Sequence, residues 1–483
     1  MKNQQDWHQI KSELKRIWGY DDFRSPQGEI IQSLLSGKDS LIIMPTGGGK
    51  SICFQLPAIL KKGLTLVISP LVALMENQVQ ELRDRHLPAA LLHSQLSSSQ
   101  KKQTLRLLSE KKLRLLYVSP ETLLSESVWS KITVPDLEIT GLILDEAHCL
   151  VQWGETFRPE YRRLGIVRES LLKSKPEGTK IVISAFTATA DPVAQAIIKD
   201  VLKLDNPDTF LINPYRQNIK LKVETVWTAK CRRDRLVNYI KNQGKTSGLV
   251  YVRTRKDSEN LVKFLGEKGY KSAAYHAGLS AEIRREIESN WLSGNIPFVV
   301  CTCAFGMGIN KPDVRWIIHF HSPFLLSEYV QEIGRSGRDG KLSEALTLIS
   351  EPTGFLEPED QERNKFFEAS LFKKYQQAEK LANILPDNGN IKDISKEFHD
   401  GNISLAILHS IGVVEWVDSF HYQKVGVISK NVVNKLQKEQ GKIHNLMREY
   451  LQTKECRWRF LLRAFGFEQD NMIKCGKCDN CKR

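Results

Sequence analysis

The chain has 483 residues, of which 41% are hydrophobic and 26% charged, and its formal net charge at pH 7 is +14. That length holds about two to four domains with cores of their own, and the composition excludes a disordered chain. The cationic excess suits a polyanionic partner, although diffuse basicity also serves plain solubility. Nine cysteines in so long a chain exclude a small disulfide scaffold, and no apolar run approaches the length of a membrane span.

The N-terminus, MKNQQDWHQIKSELKR, is polar and amphipathic without a signal-type apolar core, so a soluble intracellular protein without membrane attachment is expected. From Leu14 the helical pattern LKRIWGYDDFRSPQGEIIQSLL breaks at Gly19-Tyr20 and resumes after Pro26. Tyr20 offers a ring for stacking on a purine, and the Gln27 amide can bond an adenine edge; an ordinary helix–turn–helix lead-in would carry the same residues.

Next, an apolar strand (Leu41–Met44) runs into MPTGGGKS, Met44–Ser51. Here Gly47, Gly48 and Gly49, after Thr46, permit tight turns and Lys50-Ser51 opens a helix. Backbone N–H groups and the helix N-terminus would face an anion, Lys50 would reach the outer phosphates of ATP, and the Ser51 hydroxyl could ligate Mg²⁺. The general pattern has glycine where this chain has Met44.

Strands alternate with helices thereafter: LTLVISP (64–70), LRLLYVSP (113–120), ITGLILDEAHC (139–149) and KIVISAFTATA (180–190). Their continuous apolar character predicts a parallel sheet covered on both faces. Polar tips at Ser69-Pro70, Ser119-Pro120, Asp145-Glu146 and Thr187–Thr189 would gather at the carboxyl edge, where ligands bind in such folds. Asp145 can hold Mg²⁺ while Glu146 orients and deprotonates a water. The following LVQWGETFRPEYRRL (150–164) sets Trp153, Phe157 and Tyr161 among Arg158, Arg162 and Arg163. Aromatic faces beside arginines suit a single-stranded nucleic acid.

Around Leu211–Ile219 a linker leads to a second alternating unit with strands in 247–265, 271–280, 297–320 and 344–350. It lacks a phosphate loop. Its strand ends offer Thr254, His276, Thr302 and Gly306–Asn310, and SEYVQEIGRSGRDG (327–340) carries Gln331, Arg335 and Arg338, arginines suited to a γ-phosphate. A stretch of roughly 70 residues then reads as three helices (Tyr375–Leu385, Ile391–Phe398, Ile403–Ile411) and two strands (413–418, 420–428), the order of a winged helix-turn-helix. It would either bind nucleic acid or brace the two α/β units. If it binds, the link near 419–422 forms the wing, with Phe420, His421 or Tyr422 as a separation wedge; if it braces, these rings pack. Finally Cys456, Cys475, Cys478 and Cys481 form a set suited to a structural Zn²⁺ site, with disulfides or an iron–sulfur cluster as rivals. The other five cysteines (Cys53, Cys149, Cys231, Cys301, Cys303) read as buried thiols.

The ordered set MPTGGGKS, VISPLVALMENQV, DEAHC, QWG..FRPEY, FTATA, YHAGLS, AFGMGINKPDVR and QEIGRSGRDG resembles the RecQ family of superfamily 2 DNA helicases over roughly residues 10–350. The spacing of Gly19, Phe23, Arg24 and Gln27 is similar to that family's nucleotide motif, so Tyr20, Arg24 and Gln27 join the cofactor contacts. The resemblance implies two RecA-like α/β domains (1–212 and 213–352), a connecting segment (353–374), the winged-helix-like domain (375–440) and a zinc-binding module (441–483). It implies an ATP-driven motor moving 3′ to 5′ on DNA, with Lys50, Ser51, Asp145, Glu146, Gln331 and Arg335 serving ATP and Arg338 as arginine finger. Stretch 150–164 resembles the family's aromatic-rich loop, which couples DNA binding to ATP hydrolysis, with Trp153, Phe157 and Arg158 on DNA. Glu155-Thr156 replace the usual His-Asp there. In the family order a winged helix and a helical nucleic-acid-binding domain follow the zinc cysteines, whereas here the sequence ends two residues past Cys481.

The implied partners are single-stranded and partly duplex DNA, with single-strand-binding or recombination proteins, for a monomeric motor in the cytoplasm at the nucleoid; a nuclear site stays open. The implied processes are DNA repair, recombination or replication. An RNA helicase and a DNA-binding scaffold with a vestigial motor are the alternatives; retention of Lys50, Asp145, Glu146 and both arginines opposes the second.

Overall fold

The computed structural model describes residues 7–152, 158–306, 309–427, 441, 445–468 and 474–482. The described residues fall into two units: those of Met1–Met44, Gly48–Ile212 and Lys374–Val433 in the first, those of Pro45–Gly47, Asn213–Lys373 and Asn434–Arg483 in the second.

The first unit holds seven parallel strands: β1 (Ser40–Ile43), β2 (Leu64–Ile68), β3 (Ala89–Leu92), β4 (Leu115–Val118), β5 (Ile139–Leu144), β6 (Val182–Thr187) and β7 (Asp208–Leu211). Their order is β3-β4-β2-β5-β6-β1-β7. Strands β1 to β6 are buried almost throughout, because helices cover both faces and leave no side of the pleat for water. Separate apolar clusters lie on the two faces, one around Leu66, Leu142 and Ile183, the other around Ile42, Val67 and Phe186. Strand β7 alternates between half-buried and exposed positions, as an edge does. The order puts β5, β6 and β1 side by side, so the loops at their carboxyl ends are neighbours. That adjacency makes a site out of segments far apart in sequence.

The second unit repeats the scheme with six parallel strands: β8 (Ile219–Val226), β9 (Ser247–Tyr251), β10 (Ser272–Tyr275), β11 (Phe298–Cys301), β12 (Val314–His319) and β13 (Ser343–Ser350), in the order β10-β11-β9-β12-β13-β8. Strand β8 lies where the sequence suggests a linker. Its IKLKVETV pattern is a half-buried edge rather than a continuous apolar run.

The long helix Glu359–Ile384 begins well before Tyr375 and runs through most of 353–374. After it come β14 (Asn388–Asn390), helices Ile391–Glu397 and Gly401–Ser410, and strands β15 (Val414–Trp416) and β16 (His421–Lys424), with β16 paired antiparallel between β14 and β15. Helix, strand, two helices and a hairpin is the winged-helix order. This element packs on the first unit. Arg163 donates to the Ser419 carbonyl at 3.0 Å with its guanidinium 5.9 Å from the centre of the Trp416 ring, Phe420 meets Trp129 edge-on at 5.6 Å, and Lys392 pairs with Glu126.

These contacts fit the packing alternative for Phe420 and Tyr422. Tyr422 is 1% exposed, Phe420 is spent on Trp129, and His421 sits in strand β16, paired with Asp418 at 2.9 Å. Packing claims Phe420 and Tyr422, while His421 stays exposed. Among the described residues no helix is long and apolar enough to cross a membrane.

Candidate functional site

The loop after β1 turns on Gly47 (φ +84°) and Gly49 (φ +79°), left-handed positions that favour glycine. A Cβ on Gly49 would fall 2.3 Å from Gln27 Nε2, so any side chain there would displace the glutamine. Helix Lys50–Leu60 starts directly after, and its unbonded first N–H groups face the loop. Gln27 is 5% exposed. Its Nε2 donates to the carbonyls of Gly48 and Gly49 at 3.2 Å, and its Oε1 accepts from the Arg24 N–H at 2.9 Å. The amide therefore props the loop from behind, and bonding an adenine edge would mean exchanging these partners. Tyr20 stands half exposed and Arg24 is exposed.

Beyond the end of β5, Asp145 is buried and Glu146 takes a left-handed φ of +55°, a strained conformation of the kind that collects at functional sites. Asp145 Oδ1 accepts from the Glu146 N–H at 3.1 Å. Burial and the neighbouring Glu146 charge push the Asp145 carboxyl well above its usual range, while Lys50 and a hydrogen bond from Gln78 pull the other way. Among the described residues Lys50 Nζ has no hydrogen-bond partner, and it lies 3.8 Å from Glu146 Oε1. Glu146 Oε2 is 3.3 Å from His148 Nδ1, and that nitrogen is 3.1 Å from the Thr187 hydroxyl at the end of β6. One chain of polar contacts thus links the Lys50 helix, the acidic pair and the neighbouring strand end. Ser51 follows Lys50 in the same first turn, half-buried. Two neighbouring carboxylates and a lysine at a phosphate loop are the kinds of group that hydrolysis of a nucleoside triphosphate uses.

In the second unit helix Leu326–Ile333 carries Gln331, and the turns after it carry Arg335 and Arg338. Arg335 is buried, and among the described residues its Nε has no hydrogen-bond partner; a Cβ on Gly306 would lie 2.7 Å from Arg335 Nη1. Arg338 Nη1 donates to the Ile309 carbonyl at 3.1 Å and to Asn310 Oδ1 at 3.0 Å. Burial, then the like charges of Arg335 and Arg216, pull its pKa down to about 10. A group of guanidiniums held this close is stabilised by an anion. Arg216 and Asn218 both donate to the Gly337 carbonyl, at 2.5 and 2.7 Å, fixing the loop between the two arginines. Sequence reading passed these two residues over because they lie in the presumed linker, as it passed over Gln78 inside an ordinary helix.

Of the residues proposed for DNA, Trp153 and Phe157 lie outside the described residues. Arg158 pairs with Glu121 at 3.1 Å.

The sulfurs of Cys456, Cys475, Cys478 and Cys481 lie within 4.8 Å of one another. Cys475 and Cys481 are 3.9 Å apart, near the roughly 3.8 Å that tetrahedral ligands about 2.3 Å from one Zn²⁺ require and far from the about 2.05 Å of a disulfide. Backbone N–H groups of Cys475 and Cys478 donate to the sulfurs of Cys456 and Cys475 at 3.3 and 3.4 Å, which favours thiolates. The donor set fits zinc. Asp479 fixes the knuckle: it accepts from Arg457 at 2.5 and 2.8 Å and from the Val223 N–H of β8 at 3.2 Å. Trp458 Nε1 donates to the Ile219 carbonyl at 3.1 Å, so the module caps the β8 edge. Of the remaining cysteines Cys53, Cys149 and Cys301 are buried as expected. Cys231 and Cys303 are exposed, the first on a solvated helix and the second just beyond the end of β11.

Two parallel α/β units, one with the phosphate loop and acidic pair and one with the arginine pair, define the helicase class of ATP-hydrolysing motors. Family models agree: DEAD/DEAH box helicase over residues 24–197, helicase conserved C-terminal domain over 231–340 and RecQ zinc-binding over 421–482. The ATP-dependent DNA helicase RecQ of Synechocystis is 48% identical over 478 residues, covering 99% of this chain and 98% of that one. The Haemophilus influenzae ATP-dependent DNA helicase RecQ is 39% identical over 344 residues, and the match covers 71% of this chain and 54% of that relative. Among solved structures, S. cerevisiae Dbp5 bound to RNA and ADP BeF3 matches with a TM-score of 0.57 at 16% identity, over 71% of this chain and 88% of that one, a likeness of fold alone. The chain belongs to the RecQ family of ATP-dependent DNA helicases.

Proposed function

We propose that the chain moves 3′ to 5′ along single-stranded DNA at the expense of ATP and separates duplex strands in repair, recombination or replication, as a monomeric motor at the nucleoid. The observation that carries this reading is the near full-length identity with the Synechocystis RecQ helicase. Residues 1–212 and 213–352 are the two motor domains, 375–440 the winged-helix-like domain and 441–483 the zinc module, with 353–374 joining them.

In this reading Thr46–Ser51 cradle the phosphates, Tyr20, Arg24 and Gln27 attend the base, and Gln331, Arg335 and Arg338 serve the γ-phosphate. Ser51 and Asp145 would hold Mg²⁺, which when bound neutralises developing phosphate charge. Glu146 takes the proton of the attacking water, and Lys50 holds the phosphate oxygens. Arg338 balances charge as the bond to the leaving phosphate breaks. Trp153, Phe157 and Arg158 contact the strand. The deciding experiment is unwinding of duplexes with 3′ or 5′ single-stranded DNA tails, and with RNA tails, in the presence of ATP and Mg²⁺. The reading expects activity on the 3′ DNA tail; preference for the 5′ tail or for RNA overturns it.

A further inference from the structure

Helix Leu326–Ile333 has 8 residues and runs directly into the turn that carries Arg335. The Gly334 N–H donates to the Val330 carbonyl at 3.0 Å, and the Arg335 N–H to the Glu332 carbonyl at 3.2 Å. The backbone of the arginine turn is therefore tied to the last turn of the helix. Any rotation of the helix about its axis carries Gln331 and Arg335 with it. So short a helix does not set its own orientation, and tertiary contacts must do so.

Tyr329 and Glu332, three residues apart and so on one face of the helix, supply two such contacts. Glu332 is buried and lies 2.9 Å from His319 Nε2 at the end of β12. The His319 ring packs on Tyr329 with 5.0 Å between centres. Tyr329 is fully buried, and its hydroxyl accepts from the Tyr450 hydroxyl at 2.9 Å. The two tyrosine rings are 4.9 Å apart. Tyr450 is itself fully buried and firmly held. Phe460 meets its ring edge-on at 5.7 Å, and the Arg457 guanidinium lies 5.4 Å from the ring centre. Arg457 Nη1 also donates to the Tyr450 carbonyl at 2.9 Å, while the same guanidinium grips Asp479 of the cysteine knuckle. All of these residues belong to the second unit.

Stability alone does not ask for this pair of hydroxyls. Two phenylalanines would keep the ring contacts, and replacing both partners of a buried hydrogen bond by apolar groups of the same shape is nearly neutral. What the directional bond adds is one fixed arrangement of the rings. We propose that Tyr450 is a positioning residue for ATP hydrolysis: its hydroxyl holds Tyr329, and with it the helix that presents Gln331 and Arg335. The proposal rests on the assignment of the arginines to the γ-phosphate. Misplacing a group that stabilises the reacting phosphate by about 1 Å can cost about 10²-fold in rate. A bond of little weight for stability can therefore carry weight for turnover.

The test is steady-state ATP hydrolysis by the full zinc-loaded chain at saturating single-stranded DNA. Tyr450→Phe removes one oxygen and should lower kcat by about fivefold or more, with KM for ATP within about twofold of the parent. Its Tm and DNA affinity should match the parent. Tyr329→Phe breaks the same bond from the other end, so the double variant should be no slower than the slower single one. Unchanged kcat in Tyr450→Phe, a loss of kcat that follows a loss of Tm, or losses that multiply in the double variant overturn the proposal. Arg338→Ala, measured beside them, separates this from a failure of the arginine assignment. If Arg338→Ala loses kcat and Tyr450→Phe does not, the positioning role alone falls. If Arg338→Ala keeps its kcat, the assignment falls and the positioning role with it.

Discussion

Lys50 Nζ stands 3.8 Å from Glu146 Oε1 and makes no hydrogen bond among the described residues. The ammonium can therefore turn to a phosphate without breaking a hydrogen bond to a described residue. Lys50→Ala should therefore lower ATP hydrolysis by about 10²–10³-fold or more, with DNA affinity near that of the parent. Steady-state turnover and a DNA-binding titration on the same preparation check this; near-normal turnover removes the assigned role.

Arg338→Ala should lower kcat by about 10³-fold with a smaller change in KM for ATP. Burial, then the like charges of Arg335 and Arg216, disfavour the Arg338 charge, so its loss should cost little Tm. A fall in KM-controlled binding with kcat intact would assign it to ground-state phosphate contact instead. Arg335→Ala, which removes a buried side chain under Gly306, should lose both activity and stability.

Much of this site was legible because phosphate chemistry needs particular residues at particular spacings. Gly47 and Gly49 announce their positive φ, and an acidic pair after an apolar run announces a strand end. The parallel strands β1, β2, β5 and β6 were legible for the same reason, as buried apolar runs. Strands β7 and β8 were not, because edges are half exposed and carry mixed patterns. Gln78, Arg216 and Asn218 were missed because their roles are set by what they touch, Asp145 for the first and the Gly337 carbonyl for the others. The Phe420 contact with Trp129 joins residues almost 300 apart, and no local pattern encodes it.

About one zinc per chain should be found by metal analysis, the complement of one four-thiolate site. Cys478 is fully buried, and Cys478→Ala should lower Tm and release the metal. Arg457→Ala should destabilise the module by about 3–5 kcal/mol, since it strands the buried Asp479 carboxylate. Denaturant melts with and without chelator measure both. A metal-free protein of equal stability sinks the assignment.

Trp153→Ala and Phe157→Ala should reduce stimulation of ATP hydrolysis by single-stranded DNA more than the basal rate, because stacking contributes about 1–3 kcal/mol per base. Titration of the rate with oligonucleotide separates the two quantities. Unchanged stimulation in both variants returns the rings to packing.

The winged-helix-like element should behave as a brace. Tyr422 lies in β16 opposite Gly389 of β14, and a Cβ on Gly389 would fall 2.5 Å from the Tyr422 hydroxyl. The glycine leaves the space that the ring fills. Gly389→Ala and Tyr422→Ala should therefore both lower thermal stability, the first by about 1–3 kcal/mol from overpacking and the second by about 3–5 kcal/mol from the cavity it opens. Phe420→Ala, which loses the edge-on contact with Trp129, should do the same more mildly, since that ring is half-buried. In each variant any loss of unwinding should follow the loss of folded protein. His421→Ala, at an exposed position, separates the two accounts. As part of a brace it should leave unwinding unchanged at temperatures where the variant stays folded. A selective loss of unwinding in His421→Ala, with DNA-stimulated ATP hydrolysis and Tm intact, would instead place strand separation at this hairpin.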